Sequence, residues 1–244
     1  MNFYATIIGS EILNGRRVDK HFDFLRDLLH SHNHQLFASF VIKDDPHMMR
    51  SIYKLVRDDP KSVMFSFGGI GSTPDDLTRP IAAEVFTSKP LVRHPRFEAD
   101  IIERFGDEAY PHRIHMSDLP AGSKLLFNPI NNMSGFSLED RFFFTPGFVQ
   151  MSHPMITDVV ASLFGSGKRV FRKTILAHTS ENTLVSVMQE VSDMVEFSSL
   201  PILDESGARV EISVASSDEM LVESEIAKFE AFLIREHIDY VYLA

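Results

Sequence analysis

Residues 68 to 78 read Gly68-Gly69-Ile70-Gly71-Ser72-Thr73-Pro74-Asp75-Asp76-Leu77-Thr78, directly after the apolar run Ser62 to Phe67. A short apolar run stopped by glycine is the pattern of a buried strand. Beyond the loop, Ile81, Ala82, Val85 and Phe86 recur at helical spacing, which predicts a helix with Thr78 as its N-cap. Gly68, Gly69 and Gly71 let the backbone adopt positive φ and turn its amides toward one point without Cβ obstruction. Ser72, Thr73 and Thr78 add hydroxyl donors, and the helix N-terminus adds partial positive charge. The segment therefore predicts an oxyanion cradle between a strand and a helix.

The same alternation runs through the first two thirds of the chain. Residues 4–8 and 35–42 read as strands, 18–32 and the stretch from Pro46 to Val56 as helices. Residues 95–105 read as a helix, 124–127 and 141–145 as strands and 149–164 as a closing helix. Strands alternating with helices predict an α/β domain over residues 1–166, with a mostly parallel sheet covered on both faces. Gly165-Ser166-Gly167-Lys168 is a flexible junction. Residues 169–244 then follow a strand-helix-strand-strand-helix-strand order, a small α+β domain with Asp204-Glu205-Ser206-Gly207 as its hairpin turn. That domain has neither a GxxG clamp nor a basic face, so packing or dimerisation is expected of it rather than RNA binding, and its sheet predicts a homo-oligomer.

Charge narrows the partners. With 24 Lys and Arg against 34 Asp and Glu, the formal charge of −10 repels nucleic acid and anionic membrane surfaces, so neither is an expected partner. Any phosphate ligand must be met by local dipoles, a few cations or a metal. The absence of cysteine excludes disulfides and thiolate metal sites. The apolar run from Phe3 to Ile8 lacks the length and basic flank of a signal segment, and no stretch approaches a membrane span, so a soluble cytoplasmic protein is expected.

In an open parallel sheet, ligands sit beyond the carboxyl ends of the strands. The loops there carry Gly9-Ser10-Glu11 after the first strand, Asp44-Asp45 after the second and the glycine run after the third. Asp44, Asp75 and Asp76 beside a phosphate call for a hard cation of the magnesium type, which points to phosphoryl chemistry. The competing reading is structural: an Asp pair before a helix also serves as capping and dipole complement, about 0.3 to 1 kcal/mol each. His30, His32 and His34 read as a polar helix end, Met48 and Met49 as core, and Arg113 and His115 as surface residues, with reach to a phosphate as the lesser alternative. No nucleophile-elbow sequence supports a hydrolase triad.

The run GGIGSTPDDLT resembles the GGxGxTxDDxT signature of the molybdopterin-binding fold. In order, IGSEILNG, VDKHFDFL, the Asp44 loop, LPAGSKLLFNP and TPGFVQM resemble the nucleotide-utilising N-terminal part of the competence/damage-inducible protein A (CinA) family, over residues 4–164. The resemblance implies a three-layer α/β/α domain. Its relatives adenylylate molybdopterin, or hydrolyse the pyrophosphate of ADP-ribose or FAD with a divalent metal. Carried over by position, Gly69, Gly71, Ser72 and Thr73 hold phosphate, and Gly9, Ser10, Glu11, Pro146 and Gly147 border it from the neighbouring motifs. Asp76 is the acid shared by both kinds of relative, Asp75 the additional acid of the CinA-like pattern, and Asp44 the acid after the second strand; Asp19 matches the first motif. The chain departs from the family at His21, where the pattern has Asn, at Asn131 to Phe136, and at Gln150, where it has an acid. A pyrophosphatase, a molybdopterin adenylyltransferase and a non-catalytic nucleotide or pterin module are the three readings this leaves. The amidohydrolase domain of longer members has no counterpart in these residues, so deamidation is not expected.

Overall fold

The computed structural model describes residues 1–204 and 207–243. The first strands and helices are β1 (Asn2–Ile8), the short α1 (Ser10–Leu13), α2 (His21–Ser31), β2 (Leu36–Ile42), α3 (Pro46–Asp58) and β3 (Ser62–Phe67). They continue through α4 (Thr78–Ala82), β4 (Leu91–Arg93), α5 (Pro95–Phe105), β5 (Asp118–Pro120), β6 (Lys124–Leu126), β7 (Gly135–Leu138), β8 (Phe142–Thr145) and α6 (Val149–Val159). These form a six-stranded sheet in the order β2-β1-β3-β8-β7-β6. The pairings of β1 with β2, β1 with β3 and β3 with β8 are parallel, and β7 returns antiparallel between β8 and β6.

Why the sheet carries three layers can be read from β8. Successive side chains of a strand face opposite sides, so Phe142 and Phe144 pack into one core with Tyr53, Met49, Ile81 and Phe97 of α3, α4 and α5. Phe143 enters the other with Phe65, Phe67, Leu25, Leu29 and Ile156 of β3, α2 and α6. Strands buried on both faces need unbroken apolar runs, and all six residues of β3 are buried.

Local chemistry fixes the helix starts. Asp45 accepts the Met48 amide at 2.7 Å and Pro46 occupies the first turn of α3. Asp19 accepts the amides of His21 and Phe22 at 2.9 and 3.1 Å, so α2 starts at His21 rather than Val18. Thr78 is not the N-cap of α4; Leu77 holds that position, and α4 passes into a π-turn over Ala83–Thr87. β7 was hidden inside what the sequence suggests is a polar loop. Its Gly135 leaves room for the Phe144 carbonyl, which an added Cβ would meet at 2.5 Å. The antiparallel pair of β4 and β5, which are separated in the chain by α5, is likewise too short for its pattern to show.

The chain divides into Met1–Gly167 and Lys168–Ala244. The second unit consists of β9 (Phe171–Ala177), α7 (Glu181–Met188), β10 (Glu196–Asp204), β11 (Gly207–Ser216), α8 (Glu219–Arg235) and β12 (Tyr240–Leu243). Its antiparallel sheet runs β10-β11-β9-β12, and Ile175, Val210, Ile212 and Val214 pack on Leu184, Ile226 and Phe229 of the two helices. Of the expected hairpin turn, Asp204 and Gly207 form the last register pair, and Glu205 and Ser206 lie outside the described residues.

Phe143 is fully buried and its ring stacks on Phe65 with centroids 5.4 Å apart. Phe143→Ala should destabilise the protein by about 3–5 kcal/mol in urea unfolding followed by tryptophan-independent far-UV circular dichroism.

Candidate functional site

The loop after β3 is pinned at both ends by its own backbone. Gly68 (φ 104°) donates its amide to the Thr145 carbonyl at the end of β8 at 2.9 Å, and Thr78 donates its amide to the Gly69 carbonyl at 3.0 Å. The Thr78 hydroxyl, fully buried, donates to the Gly68 carbonyl at 2.9 Å. Thr78 is therefore a brace beneath the loop rather than a phosphate donor, which corrects the sequence expectation. Between these pins, the amides of Gly69, Ile70, Gly71 and Ser72 make no protein hydrogen bond among the described residues. Such amides are the donors an oxyanion requires.

Beneath the loop lies Arg79, which is 7% exposed and donates to the Ile70 carbonyl at 3.2 Å. Its Nε has no hydrogen-bond partner among the described residues. Burial lowers its pKa, opposed by the fields of Asp76 and Asp118. The guanidinium thus places positive charge behind the amides in a chain whose overall charge is negative.

Two of the three expected acids meet at Thr73. Its amide donates to Asp76 Oδ2 at 2.8 Å, and its hydroxyl oxygen lies 2.6 Å from both Asp75 Oδ1 and Asp76 Oδ2. One hydroxyl carries one proton, so it satisfies only one of these carboxylates at a time. The Thr73 hydroxyl and the Asp75 amide hold the Asp75 carboxyl below its ordinary range. Asp44 is elsewhere: its Oδ2 accepts the Ser10 amide at 2.9 Å and the Ser10 hydroxyl at 2.8 Å. Among the described residues no group of three His, Asp or Glu side chains is placed to hold a metal, so the three aspartates do not form one ligand set. Asp44 and Ser10 instead brace the loop after β1, where Gly9 also donates its amide to the Ile42 carbonyl at 3.0 Å. The oxygens of Thr73, Asp75 and Asp76 are a donor set suited to a hard divalent ion that completes its shell with water and phosphate.

A cavity of about 540 Å³ opens over the loop, Thr73 and Asp76. Gly69, Gly71, Ser72, Thr73, Asp76, Pro146 and Gly147 line it together with the apolar Phe97, Phe105, Met116, Met133, Phe148 and Met151. Arg104 and Arg113 also line it, with Arg113 stacked 4.6 Å and Arg104 5.5 Å from the Phe105 ring. Arg113, expected at the surface, is thus a wall residue. The apolar wall was missed because Phe97 and Phe105 occupy helical positions that periodicity reads as core. Across Gly147 and Phe148 lies a second cavity of about 410 Å³ with Glu11, Arg17, Asp19, His21 and Gln150 in its lining. Glu11 pairs with Arg17 there at 3.7 Å.

A mostly parallel three-layer domain with a glycine loop and paired acids at one strand edge defines a molybdopterin-binding-type domain. The chain belongs to the family described as a probable molybdopterin binding domain, which it matches over residues 5–165. It is 29% identical to a CinA-like protein from Gloeobacter violaceus over 238 residues, 93% of this chain and 55% of that protein. A CinA-like protein from Nostoc punctiforme is 25% identical over 235 residues, covering 91% of this chain and 56% of that protein. The chain therefore spans about half the length of these curated relatives. The crystal structure of CinA, a protein of unknown function from Thermoplasma acidophilum, aligns with a TM-score of 0.58 at 24% identity, covering 64% of this chain and 94% of that one, and shares its fold.

A Cβ at Gly71 would stand 2.5 Å from Asp76 Oδ2. Gly71→Ala should leave the thermal transition nearly unchanged, because the loop is at the surface, and weaken sulfate or ADP-ribose binding at least about tenfold in calorimetry, a loss of about 1.4 kcal/mol.

Proposed function

We propose that the first unit is a metal-dependent hydrolase of nucleotide phosphoanhydrides, acting on a diphosphate of the ADP-ribose or FAD kind. The observation that carries this reading is the set of four loop amides without a partner among the described residues, on residues that line the same cavity as Thr73 and Asp76, with Asp75 joined to Thr73 through its hydroxyl. In this reading the amides of Gly69 to Ser72 orient the diphosphate, with the Arg79 charge behind them. The Phe and Met wall receives a planar base, and Arg104 and Arg113 meet the anionic or hydroxylated remainder. A divalent ion held by Asp75, Asp76 and the Thr73 hydroxyl would neutralise developing charge and acidify a water. The Asp76 carboxylate also holds the Thr73 amide, so it fixes the loop as well as meeting the ion.

The family match gives a second reading its support: a pterin ring would meet the same apolar lining, with adenylyl transfer in place of hydrolysis. A third reading, ligand binding without turnover, draws on Gln150, which puts a neutral amide in the second cavity. Self-association through the second unit belongs to the same proposal and is read by light scattering.

Incubation with ADP-ribose or FAD and magnesium, manganese or cobalt should release AMP. Asp76→Asn should lower the rate at least about 100-fold, whereas Asp44→Asn, which acts only through the Ser10 loop, should lower it less. No AMP with any metal rejects hydrolysis; adenylylated pterin formed from molybdopterin and ATP selects the transferase.

A further inference from the structure

One buried group near the loop is not used by the proposed chemistry. His21, 5% exposed at the first turn of α2, stacks on Phe67 with ring centroids 4.4 Å apart, and Phe67 is the residue before Gly68. Its Nε2 lies 3.3 Å from the Gly147 carbonyl, and its Nδ1 lies 3.3 Å from Nε2 of His153 on α6. The His153 ring stacks face to face on Phe24, with centroids 3.6 Å apart.

This chain of contacts has one neutral arrangement. A carbonyl only accepts, so His21 Nε2 carries a proton and His21 Nδ1 is bare; His153 Nε2 therefore donates to it, leaving His153 Nδ1 bare. With both of its nitrogens engaged, His21 is not free to act as a base toward a ligand. The pair can nevertheless accept one proton and keep every hydrogen bond. A proton from bulk water binds His153 Nδ1, the proton on His153 Nε2 passes to His21 Nδ1, and the positive charge rests on His21. The donor and acceptor of the link between the rings are then exchanged. A second proton would set two N–H groups against each other.

The charge would lie close to the oxyanion cradle. His21 packs under Phe67 and holds Gly147, where an added Cβ would stand 3.5 Å from the Gly68 Cα, and Gly147 borders both cavities. We propose that the His21–His153 pair takes up one proton when an oxyanion occupies the glycine loop, making His21 an anion-responsive positioning residue that acts through the Gly147 peptide. The inference rests on the oxyanion-binding part of the reading above and not on hydrolysis.

The surroundings oppose a charge on the pair. Burial lowers the His21 pKa, with Asp19 and the Gly147 carbonyl opposing it and Arg17 reinforcing it. Burial, aided by His21 and opposed by Asp19, pushes His153 down to about 4. The other charged groups lining the cavity beside His21 are Lys20 and Glu11. From the elements packed on its remaining sides come Phe67, Gly147 and His153, of which His153 titrates. A bound anion supplies the attraction that Asp19 alone does not.

Isothermal calorimetry of the full chain at about pH 6, in buffers of differing ionisation enthalpy, reads the proton count. ADP-ribose and sulfate serve as probes, since neither titrates near neutral pH. The expected result is uptake approaching one proton per anion bound, with affinity rising by up to about tenfold per unit fall in pH. Uptake should vanish in His21→Asn and in His153→Phe, the second of which retains an aromatic stack on Phe24. Sulfate binding with uptake, but no ADP-ribose binding, upholds the pair and rejects the nucleotide reading. Binding without uptake, uptake that survives both substitutions and so belongs to the carboxylates, or binding of neither probe overturns the proposal. Should both variants fail to fold, NMR titration of the wild-type His21 and His153 ring carbons decides: sulfate must raise their midpoint, and an unmoved midpoint overturns it.

Discussion

Two backbone hydrogen bonds, Gly68 amide to Thr145 carbonyl and Thr78 amide to Gly69 carbonyl, hold the glycine loop open. Each closes one end of the segment, so the amides between them are kept from finding partners within the chain. Unsatisfied donors at the edge of a core are tolerated when solvent or a ligand meets them. The parallel pairing of β3 with β8 is what brings Thr145 beside Gly68, and the missing Cβ of Gly68 is what lets it lie against the Ile8 carbonyl of β1, which a Cβ would meet at 2.5 Å. The architecture of the sheet and the chemistry of the site are in this sense one constraint.

An anion site in a chain of charge −10 needs attraction that acts locally. In the proposed site the unpartnered amides would supply it, aided by the buried Arg79, whose guanidinium is tied to the loop through the Ile70 carbonyl. The acids then limit what binds. In the proposed function Asp75 and Asp76, which converge on the Thr73 hydroxyl, weaken anion binding, and a divalent cation held beside them would strengthen it. Arg104 and Arg113 are both laid on Phe105 beside the apolar lining, Arg113 also paired with Glu108.

Much of this was legible from residue types. The buried runs of β1 and β3, the helical stripes of α2 and α3 and the glycine loop are strong local signals, as is the split order of the second unit. What escaped is what depends on contacts distant in sequence. Thr78 has the identity of a cap, yet its hydroxyl is drawn to Gly68, ten residues back. Asp44 has the identity of a metal ligand, but the parallel register of β1 and β2 sets it against Ser10. β7 is four residues long and is revealed only by its pairing with β8. The Phe and Met wall follows helical spacing like any core stripe, and only the cavity distinguishes it.

The central claim is that the amides of Gly69, Ile70, Gly71 and Ser72 grip an oxyanion together. Amide chemical shifts of the labelled protein during a sulfate titration test it most directly. The account requires those four resonances to move along one binding curve, while the amide of Ser10, already bound to Asp44, stays in place. Saturable shifts confined to other parts of the chain, with these four unmoved, would contradict it.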